Sequence, residues 1–348
     1  MPSPLFPSRS TIGIAGAGLL GRLLALQLER AGHHVHVFDP APHAEARGAA
    51  GWTAAGMLSP VAELECADAD VFQLGLRSLE LWPRLLQQLA VPVEFRRDGS
   101  LLLAHRGDEG AARRVLDLLA HKVHDPALAP QPVTAAALRE LEPSVRGPAH
   151  AWMLPHEGRI HAVQAMQALA AAARGVQWHW GRSVVQADPG VLRCEDGEHR
   201  FDHVFDVRGT GARPELPVRG VRGEIFWLQA PGLQLTRPLR LLHPRHRVYL
   251  VPRAPDLVVV GASEIESEDR SPVSLRSTVE LLAAAHSVVP ELAEARIVHS
   301  ESNLRPALPD NLPRLETQAG LTRINGLFRH GWLIAPALVE RALQEPKP

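Results

Sequence analysis

The first chemistry-bearing segment is Thr11-Ile12-Gly13-Ile14-Ala15-Gly16-Ala17-Gly18-Leu19-Leu20-Gly21. A short apolar run feeds G-x-G-x-x-G, and helix-like spacing follows at once. In such a segment Gly16 permits a tight turn, Gly18 lets backbone approach a pyrophosphate, and Gly21 lets the new helix pack close to the strand. The N–H groups at that helix start favour a phosphate. A second β-like run, Val35-His36-Val37-Phe38, ends in Asp39, 18 residues beyond Gly21, where a carboxylate can hold a ribose hydroxyl. The combination predicts a dinucleotide site. An acid at Asp39 suits FAD or NAD and disfavours a 2′-phosphate.

Two more segments carry chemistry in their backbone. Gly48 to Leu58 is rich in small residues, which lets backbone lie against a flat ligand. Near the other end, Asn325 to Ala337 reads as strand, glycine turn and helix start. Its N–H groups and positive dipole end suit negative charge on a reduced flavin ring.

The elements that position these segments follow from length and pattern. A chain of 348 residues holds two domains of ordinary size. Its net charge of −1 excludes a global field that recruits nucleic acid or an anionic membrane. Cys66 and Cys194 are the only cysteines and form no disulfide framework, so a reducing cytoplasm is the expected compartment. The 18 histidines are scattered. Pairs such as His34/His36 and His243/His246 lack a third ligand at metal spacing, so no metal site is expected. The apolar stretch Ile12 to Ala31 is broken by three glycines and carries Arg22, Glu29 and Arg30, which argues against export and membrane spanning. Residues 1–10 read as a loose leader.

Apolar spacing predicts helices over Leu74–Leu89 (interrupted at Pro83), Ala111–Leu119, Ala135–Leu141, His161–Ala173, Val279–Ala285 and Ala337–Leu343. From Val218 onward short β-like runs at Gly223–Leu228, Arg247–Val251 and Leu257–Val260 predict an antiparallel sheet, and Asn325–Phe328 reads as a last short strand. Nucleotide-binding pieces at both ends thus enclose β-rich material. The expected fold class is α/β (α+β), a Rossmann-like domain interleaved with an antiparallel-sheet domain. Residues 8–85, 150–215 and 300–345 are assigned to the first and residues 86–149 and 216–299 to the second.

The pieces Ala54-Ala55-Gly56-Met57-Leu58, Tyr249-Leu250-Val251-Pro252-Arg253, Leu304-Arg305-Pro306 and Phe328-Arg329-His330-Gly331 stand in a specific order and separation. In them, and in the opening motif, the chain from Ile12 to Leu343 resembles the D-amino-acid oxidase superfamily of FAD enzymes. Within it the resemblance is to the glycine oxidases of thiamine biosynthesis, the ThiO type. That resemblance implies extended FAD. Gly16, Gly18, Leu19, Leu20 and Gly21 would meet its pyrophosphate, and Asp39 and Pro40 its ribose. Gly51, Ala55, Gly56 and Met57 would line its middle, and Val184 would touch the adenine. Leu327, Phe328, Arg329, His330, Gly331, Trp332 and Leu333 would wrap the flavin. The resemblance also implies that Arg305 binds a substrate carboxylate, helped by Arg329 and Tyr249. The planar fork of arginine suits two-point binding of a carboxylate. Arg305 precedes a proline, in what reads as a loop between β-like runs.

The implied activity is oxidative deamination of glycine or a small amino acid, giving imine and then glyoxylate, ammonia and hydrogen peroxide. The flavin is the reactive group, so no side-chain base is demanded. Oxygen is the implied acceptor, and a thiazole-synthesis partner and homo-oligomers are consistent with it. The alternative is a D-amino-acid or sarcosine oxidase, or a dehydrogenase passing electrons to a quinone or partner protein. The chain departs from the family pattern at Asp206 and Arg208, which can pair with each other, and at Asn311-Leu312-Pro313-Arg314, which lacks the usual glycine. Glu264 and Glu266 stand near the expected substrate side.

Overall fold

The computed structural model describes residues 9–243 and 247–344. Most of the expected leader, His246, and the outermost residues 8 and 345 of the first domain lie outside them.

The opening run forms the strand Thr11–Ala15, and the helix Leu19–Arg30 and strand His34–Asp39 follow. Residues Thr11 to Ala15 pair in parallel with His34 to Phe38, as the short crossover helix requires. Six strands make this sheet, in the order Arg314–Gln318, Leu321–Asn325, His203–Asp206, Thr11–Ala15, His34–Asp39, Gln177–Trp180. All neighbours are parallel except the outer pair Arg314–Gln318 and Leu321–Asn325. One core joins apolar residues of this sheet to the helices Leu19–Arg30, Ala69–Leu86, Ala162–Ala172 and Gly331–Ala342.

Two of these helices contain proline without breaking. Pro83 lies within Ala69–Leu86, so the expected interruption is absent, and the last helix runs from Gly331 through Pro336. A helical proline leaves the carbonyl four residues earlier without its donor. For Pro336 that carbonyl is Trp332, which instead accepts from Trp82 Nε1 at 3.1 Å. The next amide, Ala337, donates to Ser78 Oγ at 3.1 Å. Side chains of the Ala69–Leu86 helix therefore repair the last helix around Pro336, and the stacked Trp82 and Trp332 rings, 5.6 Å apart, seal the contact.

The second sheet has eight strands, in the order Arg296–Ala307, Arg219–Gln229, Leu257–Gly261, Arg247–Arg253, Leu239–Leu242, Ser100–Ala104, His150–Leu154, Gln131–Val133. It is antiparallel except where Leu239–Leu242 pairs with Ser100–Ala104, matching the expected β-rich half. The helix Leu275–Val288 covers one face. His150–Leu154 and Arg296–Ala307 belong to this sheet, so residues 150–154 and 300–307, assigned from sequence to the first domain, lie in the second sheet. Arg305 accordingly lies inside a strand and not in a loop. The strand is at the sheet edge, where the following Pro306 is tolerated because it has no ladder amide to supply. Asn325–Phe328 is also not a strand. The strand stops at Asn325, and a turn carries the chain into the last helix.

Candidate active site

A cleft of about 1610 Å³ runs between the two sheets. Gly16, Gly18, Leu19, Leu20, Asp39, Pro40 and Val184 line one end, and Gly51, Ala55, Gly56 and Met57 its middle. Tyr249, Arg305 and the segment Leu327–Leu333 line the other end.

The first end is built from backbone. Gly16 holds a φ of 104°, a conformation glycine adopts without penalty. Asp39 closes the turn: its Oδ2 accepts from Ala17 N–H at 2.6 Å and its Oδ1 from Ala41 N–H at 2.8 Å. No side chain caps the helix that starts at Leu19, so its first amides face the cleft. This donor set fits a pyrophosphate and a ribose. Gly21 does not line the cleft. A Cβ there would strike the Gly16 carbonyl, so Gly21 serves close packing of helix on turn rather than cofactor contact.

Three side chains from distant segments hold the small-residue middle segment. Asn303 Nδ2 reaches the carbonyls of Arg47 and Ala49 and the Thr53 hydroxyl, each at 3.2 Å. Trp332 Nε1 donates to the Gly51 carbonyl at 3.0 Å. Buried Arg253 donates to the carbonyls of Ala55 and Ile160. These bonds leave a flat backbone wall. Asp206 and Arg208 do pair, through Arg208 Nε and Nη2 to the two carboxylate oxygens at 2.9 Å each. Arg208 Nη1 also donates to the Val184 carbonyl at 3.0 Å, tying that departure from the pattern to the nucleotide end.

The far end is built from charged side chains. Buried Glu63 is its hub. Glu63 Oε1 lies 2.8 Å from Arg240 Nη2, and Oε2 lies 3.0 Å from Arg329 Nε and 3.2 Å from His330 Nδ1. Arg329 Nη1 also meets Glu264 Oε2 at 3.1 Å. Burial opposes the charge on Glu63, but Arg329, Arg240 and His330 outweigh it and hold the carboxyl well below its usual range. Burial likewise opposes the charge on Arg329, and Glu63, Cys66, Glu264 and Tyr249 together more than compensate. Glu266, also on the cleft wall, pairs with Arg219 at 2.9 Å.

Arg305 differs. Its Nη1 donates to the Ser263 carbonyl at 3.0 Å and more weakly to the Arg222 carbonyl at 3.5 Å. Among the described residues no carboxylate lies within ion-pair distance of it. Burial pushes its guanidinium downward from the usual value. Burial also raises the Tyr249 phenol, which stays a neutral donor. Both side chains occupy space left by glycine: a Cβ at Gly223 would overlap the Arg305 guanidinium, and one at Gly261 would overlap the Tyr249 ring. The turn before the last helix is constrained too. Phe328 sits at φ 47°, unusual for a non-glycine residue, with its amide donating to the Pro306 carbonyl at 2.9 Å. That bond joins the Arg329 turn to the Arg305 strand.

Sequence reasoning missed Glu63, Arg240, Gly223 and Gly261. The signals were there: a lone acid after Pro60-Val61-Ala62, a lone arginine in Leu239-Arg240-Leu241-Leu242, and single glycines inside strands, which mark close approach.

Comparison with known proteins agrees with this geometry. The family model "FAD dependent oxidoreductase" (DAO) matches residues 11–342. A Rhizobium etli protein assigned as the thiamine biosynthesis oxidoreductase ThiO is 36% identical over 327 residues, covering 93% of each chain. The bifunctional ThiO/ThiG protein of Trichormus variabilis is 27% identical over 368 residues, covering 97% of this chain and 53% of that one. The crystal structure of glycine oxidase from Geobacillus kaustophilus superposes with a TM-score of 0.81 at 26% identity, covering 98% of this chain and 100% of that one. The backbone cradle at one end of the cleft, the charged cluster at the other, and a match over nearly the whole chain lead to one conclusion: the chain belongs to the DAO family of FAD-dependent oxidoreductases.

Proposed function

We propose that the protein oxidatively deaminates glycine or a small amino acid, with the carboxylate held by Arg305. The charge balance at the far end of the cleft carries this reading. Of Arg240, Arg305 and Arg329, two are met by acids: Arg240 by Glu63, and Arg329 by Glu63 and Glu264. Of these three arginines, Arg305 is the one with no carboxylate within ion-pair distance among the described residues, so a substrate carboxylate completes the set. A desolvated guanidinium with spare N–H donors binds such a group in two-point geometry.

FAD, when bound, would supply the two-electron oxidising chemistry toward the carbon that carries the amine. Gly16, Gly18, Leu19, Leu20, Asp39 and Pro40 hold its phosphate and ribose end, and Val184 its adenine. Gly51, Ala55, Gly56 and Met57 hold its middle, and residues 327–333 its ring. Arg305 fixes the substrate's orientation, Tyr249 donates its neutral hydroxyl, and Arg329 holds the wall in place through Glu63. Such positioning contributes much of the rate. The overall reaction takes amino acid, oxygen and water to keto acid, ammonia and hydrogen peroxide.

The ThiO and ThiO/ThiG relatives support a role in supplying the imine product to thiazole synthesis. Two unpaired cysteines support a reducing, cytoplasmic setting. Among the described residues no helix is long and apolar enough to cross a membrane.

The test is anaerobic mixing of the holoenzyme with glycine, sarcosine or D-alanine. Loss of the oxidised flavin spectrum is expected with at least one of them, and no loss with any would refute the proposal. Comparing reoxidation by oxygen with reoxidation by a soluble quinone then separates oxidase from dehydrogenase.

A further inference from the structure

The hairpin Val191–Cys194 and Gly197–Arg200 lies against the nucleotide end, outside the cleft chemistry. Cys194 pairs with Gly197 and Leu192 with His199, so Cys194 and His199 project from the same face. Gly197 opposite Cys194 has no side chain, which leaves room between the two. Asp196 sits in the connecting two-residue turn. One ligand atom from each of Cys194, Asp196 and His199 falls within 4.8 Å of the others. His199 Nε2 lies 3.8 Å from Asp196 Oδ1. That nitrogen is shielded from solvent and makes no hydrogen bond. The two oxygens of Asp196 are divided: Oδ2 pairs with Arg182, while Oδ1 faces His199.

We propose that Cys194, Asp196 and His199 form a site for a divalent transition metal of the zinc class. The chemistry of the donor set selects the ion. Thiolate, imidazole and carboxylate together suit zinc and cobalt rather than calcium or magnesium, which take oxygen ligands. Bonds of about 2.0–2.3 Å to a tetrahedral ion require ligand separations of roughly 3.3–3.8 Å. Closing the present spacing takes rotamer adjustments on one short hairpin. Three protein ligands leave a fourth position for water. Arg182, on the far oxygen of Asp196, orients that carboxylate as an outer-shell partner. The Arg182 amide also donates to the Asp39 carbonyl at 2.9 Å, so the ion braces the segment that ends the nucleotide strand. His199, one of the histidines scattered in the sequence, reaches Cys194 only because the hairpin register sets both on one face.

The test uses tag-free, full-length holoenzyme stripped with chelator and then given zinc alone. After gel filtration, elemental mass spectrometry is expected to find one zinc per chain. Cys194→Ser and His199→Ala are each expected to weaken zinc binding by at least about tenfold, with flavin content unchanged, whereas Cys66→Ser binds as the native protein does. Asp196→Asn, in an exposed turn, gives a milder loss and guards against misfolding of the other two. Cobalt in place of zinc is expected to give tetrahedral d–d bands at the red end of the spectrum, beyond oxidised flavin. A native chain that takes up no zinc overturns the proposal. So does a Cys194→Ser/His199→Ala double variant that binds zinc as tightly as the native chain.

Discussion

The two ends of the cleft are built on different principles. At the nucleotide end the ligands are backbone amides on a glycine turn, set by one stretch from Thr11 to Asp39 and closed by the local bonds of Asp39 to Ala17 and Ala41. At the far end the wall is made of charged and polar side chains from five separated segments, bearing Glu63, Arg240, Tyr249, Arg305 and Arg329. Glu63 and Arg240 are 177 residues apart, and Glu63 and Arg329 are 266 apart. A backbone cradle tolerates change in its side chains but not in its glycines. A buried ionic cluster tolerates the reverse, because removing one member leaves its partners charged and desolvated. Under the proposed function the first construction grips the part of a cofactor common to many enzymes, and the second sets what can be oxidised.

The contrast can be broken most severely at Glu63. Glu63→Gln leaves Arg240 and Arg329 without their shared counter-charge. A loss of about 3–5 kcal/mol in stability is expected, measured by thermal or denaturant unfolding. A variant as stable as the parent would show that the substrate end does not depend on this hub. Arg305→Ala comes next. A desolvated arginine on a carboxylate contributes about 2–5 kcal/mol, so kcat/KM should fall roughly thirty- to several-thousand-fold, with flavin content unchanged. Unaltered kinetics would remove Arg305 from the site.

Acid should separate the two ends by pH window. His203, buried in the nucleotide sheet and bonded to Thr322 Oγ1 at 2.9 Å, is pushed by burial from 6.5 down to about 4. Below pH 6.5 the unfolded chain takes up a proton that the folded chain refuses, so stability present above that value drains away toward about pH 4. The loss amounts to roughly 3 kcal/mol, and it should vanish in His203→Gln. Glu63 has the depressed carboxyl, so its contribution persists above 4.5 and is lost only as pH falls below that value toward its folded-state value. Unfolding midpoints recorded from neutral to acid pH in the two variants check the separation. The smallest effect is expected at Asp39→Ala. One charge-assisted contact is worth about 1.5–3 kcal/mol, so FAD affinity should weaken roughly ten- to hundredfold while KM for the amino acid holds. Equal FAD affinity in parent and variant would exclude a ribose contact.

How much was legible in the sequence follows the same divide. The strand–turn–helix at the start is as expected, because glycine spacing and apolar period act over a few residues. The antiparallel sheet is legible for a similar reason. The helix through Pro83 is not, since a proline's local penalty can be absorbed by packing, and only the neighbouring helix shows that it is. The turn at Phe328 reads as strand by composition, yet its amide is claimed by Pro306, 22 positions earlier in the chain. Arg305 reads as a loop residue because a proline follows it. An edge strand accommodates both.

By itself the sequence determined the nucleotide cradle, the family pattern and the identity of the candidate arginines, because these depend on residue type and short spacing. Only the tertiary structure decided which arginine stands uncompensated. Formal charge is a property of a residue, but its neutralisation is a property of distance, and the carboxylates that meet Arg240 and Arg329 arrive from distant segments. Arg305 has none among the described residues, and that is the observation behind its proposed role as substrate anchor.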